Sequence, residues 1–380
     1  MERSKRDKEI ALYMWVLCGV LFAGFAFSFL YVMQADYLAA VQHVLSHGQT
    51  VYSPFWGAFI LTLLLSVLPP VVARRFTVPT WAIAFFYFPS CLFLALLTAV
   101  RFTPVGSCAL DASWWWTIPT LILYVLILKV LKHVLESRFK GDVWGRLWPN
   151  ALLMSLQFGL VGVCSNTDIR LHHELRVARY LQEERYDEAL SVGKQSLEVS
   201  ERLTAMRCYA LSRTGRLAEE LFEYPMPYGS RGLLPSASDS VGLSAWPEAF
   251  YRYMEARPSS RLEGQATTFF RLLGDRQEKL TPAVADYLLC ALLLDKDLDG
   301  FVRALPLYYT VDDKLPRYYK EALILYVHSR MSPELTYEDA VLQANYSEYQ
   351  ALRRKEATDA GRYKACRNLY GNTYWFYYHF

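Results

Sequence analysis

The chain contains no Cys-x-x-Cys pair, so neither a dithiol redox motif nor a zinc site of paired thiolates is written into it. Its seven cysteines are an odd number, and three of them lie in apolar runs. A disulfide among Cys108, Cys208, Cys290 and Cys366 is open to it in an oxidising compartment, but spacing does not assign the pairing. The sequence also lacks a Gly-rich phosphate loop ending in Lys-Ser/Thr, and it lacks GxGxxG, GxSxG and HExxH. These absences remove the recognisable nucleotide-binding, hydrolase and metalloprotease motifs. No cofactor is indicated, and enzymatic activity is left without a motif. Alternating β-type runs are scarce too, which points to an all-α chain.

In their place are long apolar runs. Of 380 residues, 53% are hydrophobic and 15% aromatic, against roughly 45–50% apolar residues in an average soluble domain. The excess sits in residues 1–164, with expected spanning helices at 10–33, 54–73, 78–100, 114–135 and 147–164. A bilayer core asks for about 20 mostly apolar residues in a helix. The last run is short and carries Asn150 and Gln157, which makes it the weakest of the five. The first run is too long for a cleaved signal peptide, and no small-residue cleavage site follows Met33. Trp114, Trp115 and Trp116 open the fourth run, where rings at headgroup depth anchor a helix. The runs hold no ionisable residue near their centres. Lys129, Lys132 and His133 fall in the last two turns of the fourth and can snorkel, so a proton- or ion-coupled transporter is disfavoured.

Charge gives the expected orientation. Eleven Lys and Arg precede the first run, separate the second from the third, or end and follow the fourth, whereas the other two loops hold only Arg101. Short cytoplasmic loops retain basic residues. The N-terminus is therefore expected in the cytoplasm of a bacterial inner membrane, and five crossings put residues 165–380 in the periplasm. That second region carries 28 Lys and Arg against 30 Asp and Glu. No basic stripe supports nucleic-acid binding.

Residues 165–380 read as a soluble domain of amphipathic helices. Arg185-Tyr186-Asp187-Glu188-Ala189-Leu190 resembles the inter-helix turn of a tetratricopeptide repeat, with Ala189 as the small residue that lets two helices approach. Gly215-Arg216-Leu217-Ala218-Glu219-Glu220-Leu221 resembles the same turn, although Glu220 falls at the small position, and Lys296-Asp297-Leu298-Asp299-Gly300-Phe301 is a weaker third echo. These favour helical hairpins in a repeat-like α-solenoid over an irregular bundle. A second helix is expected to continue from Ala189 to Val199. Residues 224–247, with three Gly, four Pro and five Ser, interrupt the helices. They contain Leu233, Leu234, Val241, Leu243 and Trp246, too apolar for a solvated linker, so the segment is expected to pack on its neighbours with Trp246 buried.

Three segments carry a broader resemblance. They are Cys208-Tyr209-Ala210-Leu211-Ser212-Arg213-Thr214-Gly215-Arg216-Leu217, Leu221-Phe222-Glu223-Tyr224-Pro225 and Tyr370-Gly371-Asn372-Thr373-Tyr374-Trp375-Phe376-Tyr377-Tyr378. In these the chain resembles an uncharacterised family of Bacteroidota membrane proteins, the domain-of-unknown-function 6057 family. The resemblance implies an inner-membrane protein, and it implies no activity and no site residues.

Few residues stand out as ligands. His43 and His47 are four apart in the first external loop and can share a helix face, but two imidazoles make a poor metal site without a third ligand such as Asp36. His172 and His173 are consecutive and diverge on a helix. Aromatic density in the last quarter offers a different kind of surface: Tyr308, Tyr309, Tyr318, Tyr319, Tyr374 and Trp375 are the candidate partner-binding residues. Two function classes follow. The favoured one is a membrane-anchored interaction or scaffold protein that presents its periplasmic domain to an envelope protein or peptide. The alternative is an envelope enzyme acting on a lipid-linked or glycan substrate at the outer leaflet, with Asp111, His43 and His47 converging on acids of the soluble domain.

Overall fold

The computed structural model describes residues 2–46, 49–50, 52–76, 78–102, 108–110, 112–134, 143–194, 196, 198–236, 246–258, 262, 264–276 and 281–380. The chain divides into two compact units, one of residues 1–172 and one built from residues 173–240 and 244–380.

The first unit opens with α1 (Glu2–Ser28), which runs on through a π-helical turn at Phe29–Met33. Then come α2 (Ala35–Leu45), α3 (Pro54–Arg75), a 3-10 stretch at Thr80–Tyr87 and α4 (Phe88–Leu97). A two-stranded hairpin follows, β1 (Val100–Phe102) against β2 (Cys108–Leu110), with Arg101 opposite Ala109. α5 (Thr117–Val134) and α6 (Val143–Cys164) complete the set. Apart from this hairpin the described residues are helical or irregular. Among the described residues four helices are long and apolar enough to cross a membrane: Lys8–Met33, Pro54–Arg75, Thr80–Leu97 and Val143–Cys164. The run expected at 114–135 forms a shorter apolar helix, and the one expected at 147–164 begins earlier, at Val143.

The third of these, Thr80–Leu97, is not one continuous α-helix. Its first eight residues are 3-10, and Ala82 leaves helical geometry with φ −120° and ψ 18°. A 3-10 segment rises about 2.0 Å per residue against 1.5 Å for an α-helix. Eighteen residues of this mixed form therefore reach about 31 Å, close to the thickness of a bilayer core. The price is a set of backbone groups without regular partners, and side chains of α5 and α6 satisfy them. Asn150 Oδ1 accepts from Ala84 N at 2.8 Å, and its Nδ2 donates to Thr80 O at 2.9 Å and to Arg146 O at 2.8 Å. Gln157 Nε2 donates to Ala84 O at 3.0 Å, and Tyr124 donates its hydroxyl to Phe85 O at 3.1 Å. The two polar residues that weaken the last run on hydropathy are the ones that hold the broken segment. Broken helices at membrane depth require this kind of satisfaction.

Three chain ends meet in the first unit. Asn166 N, just beyond α6, donates to Thr98 O, just beyond α4, at 2.9 Å. Gln34 Nε2, just beyond the π-helical turn, donates to Asn166 O at 3.2 Å. Tyr37 donates to Val100 O, and a ring nitrogen of His172 lies 3.0 Å from Asn166 O. At the other end of α6, Asn150 sits beside Thr80. The segment Thr80–Leu97 and α6 therefore run in the same direction.

The second unit is helical throughout its described residues. Its order is α7 (Ile169–Gln182), which begins in the first unit, α8 (Tyr186–Ser191), α9 (Glu201–Arg213), α10 (Leu217–Glu220), α11 (Trp246–Tyr253), α12 (Ala266–Arg276), α13 (Pro282–Leu294), α14 (Leu298–Tyr308), α15 (Arg317–Ser329), α16 (Ala340–Lys355), α17 (Asp359–Tyr370) and α18 (Tyr374–His379). One chain turn recurs four times. α7, α9, α11 and α13 each end on a residue with left-handed backbone: Glu184 (φ 55°), Gly215 (φ 69°), Glu255 (φ 52°) and Lys296 (φ 59°). In each, the next residue donates back five positions: Arg185 N to Tyr180 O, Arg216 N to Leu211 O, Ala256 N to Tyr251 O and Asp297 N to Leu292 O, at 2.8–2.9 Å. This is the Schellman cap. Three of the four turns are those singled out in the sequence, and each leads straight into a second helix. α8 stops at Ser191 rather than continuing to Val199. The guanidinium of buried Arg207 donates to both Val192 O and Gly193 O at 2.9 Å, so these carbonyls leave the helical pattern for a cation.

Packing is not confined to sequence neighbours. α10 packs on α13 and α15, α18 packs on α15, and a 3-10 turn at Gly229–Leu233 packs on α9 and α13. Leu233, Leu234 and Trp246 join the core, which reaches from Val177 to Trp375. Val241 and Leu243 lie outside the described residues.

Candidate functional site

A cavity of the second unit, about 430 Å³, lies among α7, the start of α8, α9 and α11. Its lining combines aromatic rings with two cations: Tyr186, Tyr209, Tyr253, Trp246, Arg213 and Arg252. The first hairpin places Tyr186, and α9 brings Tyr209 and Arg213 one turn apart on a single face. α11 supplies Trp246, Arg252 and Tyr253.

Arg213 organises the wall. Its guanidinium carbon lies 5.0, 5.8 and 5.2 Å from the ring centroids of Tyr186, Tyr209 and Tyr253. Its Nη1 donates to the Tyr209 hydroxyl at 2.9 Å. The Tyr209 and Tyr253 rings meet edge-on, and the Tyr253 hydroxyl donates to Ser212 O at 3.3 Å. The rings are thus fixed, and the cation is held over π faces, with Glu184 attracting it from the same wall. Neither Arg213 nor Arg252 forms an ion pair among the described residues, whereas Arg216, on the following turn, is paired with both Asp187 and Glu220. Trp246 is buried, and its indole N–H has no hydrogen-bond partner among the described residues. Glu184 is the one acid in the lining.

The aromatic residues expected to meet a partner have a different placement. Tyr318, Tyr319, Tyr374 and Trp375 are at most 1% exposed and belong to the core. Tyr308 and Tyr309 are half-buried beside it. Glu321 explains much of this arrangement. Only 2% exposed, its carboxylate accepts from Tyr374 N at 2.7 Å and from Arg317 Nε at 2.8 Å, and its carbonyl accepts the Trp375 indole N–H at 2.7 Å. The terminal aromatic helix α18 is therefore pinned by its first turn to α15. Burial pushes the Glu321 carboxyl up to about 7, against the pull of Arg317 and the Tyr374 N–H. A second acid, half-buried Asp286, accepts hydrogen bonds from the hydroxyls of Tyr309 at 2.6 Å and Tyr319 at 2.9 Å, and desolvation raises its pKa.

His43 ends α2, and His47 and Asp111 lie outside the described residues. Among the described residues no three His, Cys, Asp or Glu side chains group closely enough to hold a metal. Cys208, Cys290 and Cys366 are buried free thiols, and the Cys108 side chain lies outside the described residues. The groove residues carry no local signature in the sequence. Tyr186 reads there as part of a repeat turn and Arg213 as part of a segment that carries the family resemblance, and nothing marks their convergence with α11.

A sequence model of a family of unknown function (DUF6057) matches residues 2–271 and 251–380. No curated protein and no solved structure matches the chain. Because the two matches run from the first apolar helix to the terminal aromatic helix, the chain belongs to that family.

Proposed function

We propose that the protein is a membrane-anchored interaction protein whose helical unit receives a protein partner. The observation that carries this reading is the aromatic groove, whose lining holds two arginines that form no ion pair among the described residues. Desolvated aromatics and arginine are the residues that dominate protein recognition sites. Four helices of membrane-crossing length supply the anchor.

The chain direction bears on orientation. Thr80–Leu97 and α6 run the same way, so α5 has to carry the chain back between them; this supports five crossings rather than four. With the Lys/Arg asymmetry, it favours a cytoplasmic N-terminus and a periplasmic second unit in an envelope of the Bacteroidota type. The repeated Schellman-capped hairpins favour a tetratricopeptide-like surface.

The test uses the full chain in its native membrane, with a photo-crosslinking amino acid in place of Ala249 at the groove. A discrete protein adduct is expected. Adducts with lipid alone, or none, would overturn the reading.

A further inference from the structure

The groove also says what kind of partner group enters it. We propose that it binds a carboxylate-bearing peptide segment, with an acidic side chain at Arg213 and Arg252; this rests on the interaction-protein reading above.

Two observations converge. First, the cation count of the lining exceeds the anion count. Arg213 and Arg252 line the cavity with no ion pair among the described residues, and Glu184, which attracts Arg213, is the single acid of the lining. A planar guanidinium offers paired N–H donors that match the two oxygens of a carboxylate. Second, the Arg213 guanidinium stands over Tyr186, Tyr209 and Tyr253, so one face of each ring is taken by the cation and its position in the wall is fixed. The cavity, about 430 Å³, is in the range of sites that enclose small ligands or a few side chains.

The experiment places the full chain in nanodiscs of neutral phosphatidylcholine and measures fluorescence anisotropy of labelled hexaglutamate and hexaglutamine. Hexaglutamate is expected to bind and hexaglutamine not. Arg213→Gln with Arg252→Gln should lose at least tenfold, and Arg252→Gln alone several-fold. Neutralising exposed Lys355 and Lys364 should change binding less than twofold. Equal binding of the two peptides, unchanged binding in the arginine variants, or the same loss on neutralising Lys355 and Lys364 would overturn the proposal. So would competition by a neutral maltohexaose, which would make the site a glycan site, or equal competition by inorganic phosphate, which would make it a general anion site. Hexaglutamate failing while the crosslink from Ala249 persists removes the carboxylate assignment alone. Peptide binding without any cellular crosslink supports the assignment and removes the partner reading alone.

Discussion

Ser90 donates its hydroxyl proton to the carbonyl of Leu65 at 2.8 Å, the carbonyl that Pro69, four residues on, cannot engage. A proline inside a helix removes one backbone donor and frees the acceptor below it. In α3 a serine from α4 takes the missing place, so the proline and the interhelical contact form one device. Ser90→Ala should cost about 1 kcal/mol, the scale of a single interhelical hydrogen bond in a membrane protein. Reversible unfolding in mixed micelles measures it. Pro69→Ala should then uncouple the pair, because the restored backbone donor makes Ser90→Ala nearly silent.

Asn150 has more to lose. Replacing it with leucine keeps the branched shape but strands Ala84 N and Thr80 O, which its side chain pairs. Roughly 2–3 kcal/mol is expected from two buried backbone groups left unpaired. A cost no larger than that of Ser90→Ala would show that water or another side chain takes over.

Glu321 makes a pH prediction with a definite sign. Its carboxyl is raised from 4.5 to about 7 in the folded chain. Between those values the folded protein holds a proton that the unfolded chain releases. Stability contributed here is complete below about pH 4.5, falls as pH rises to about 7, and is level above that. The span is about 3 kcal/mol. Thermal melts of wild type and Glu321→Gln at pH 5 and pH 8 isolate it. The advantage of the glutamate protein should shrink, or reverse, at the higher pH by several degrees, and a constant difference would exclude the assignment.

Gly215 isolates the backbone term of the hairpin turn. It has φ 69°, and an added Cβ meets nothing within 4 Å. Gly215→Ala should therefore cost about 1 kcal/mol from the left-handed geometry alone. Gly215→Asn should cost less, since asparagine tolerates that region. Chemical denaturation of the full chain reads both.

The orientation is checked by reporter fusions after Arg146 and after Asp168. Opposite compartments are expected. The same compartment at both would place α6 on one side of the membrane.

How much of this was legible in the sequence depends on range. The apolar runs are visible because a membrane selects on composition over about 20 residues. The turn at Gly215 is visible because glycine advertises left-handed backbone; Glu184, Glu255 and Lys296 adopt it without any such mark. Asn150 and Gln157 count against a span on hydropathy, because hydropathy cannot register that a broken helix lies opposite them. α8 ends early for a similar reason: the cation that takes its carbonyls, Arg207, lies 15 residues further along. The terminal aromatics read as a surface because tyrosine suits both water and core. Glu321, 53 residues before Tyr374, decides for the core. The groove was illegible, since it needs three helices from separate segments.

The break in the third crossing has a consequence for biogenesis. Ala84 and the Asn150 that pairs with it are 66 residues apart. A ribosome adds about 5–20 residues per second, so the broken segment leaves the ribosome roughly 3–13 seconds before its clamp is made. During that interval its unpaired peptide groups are poorly suited to lipid. The segment has to wait in a wet or proteinaceous setting, such as the insertion machinery, until α6 arrives. A nascent chain stalled before Asn150 should therefore remain beside that machinery, whereas one extended past Asn166 is free to leave it.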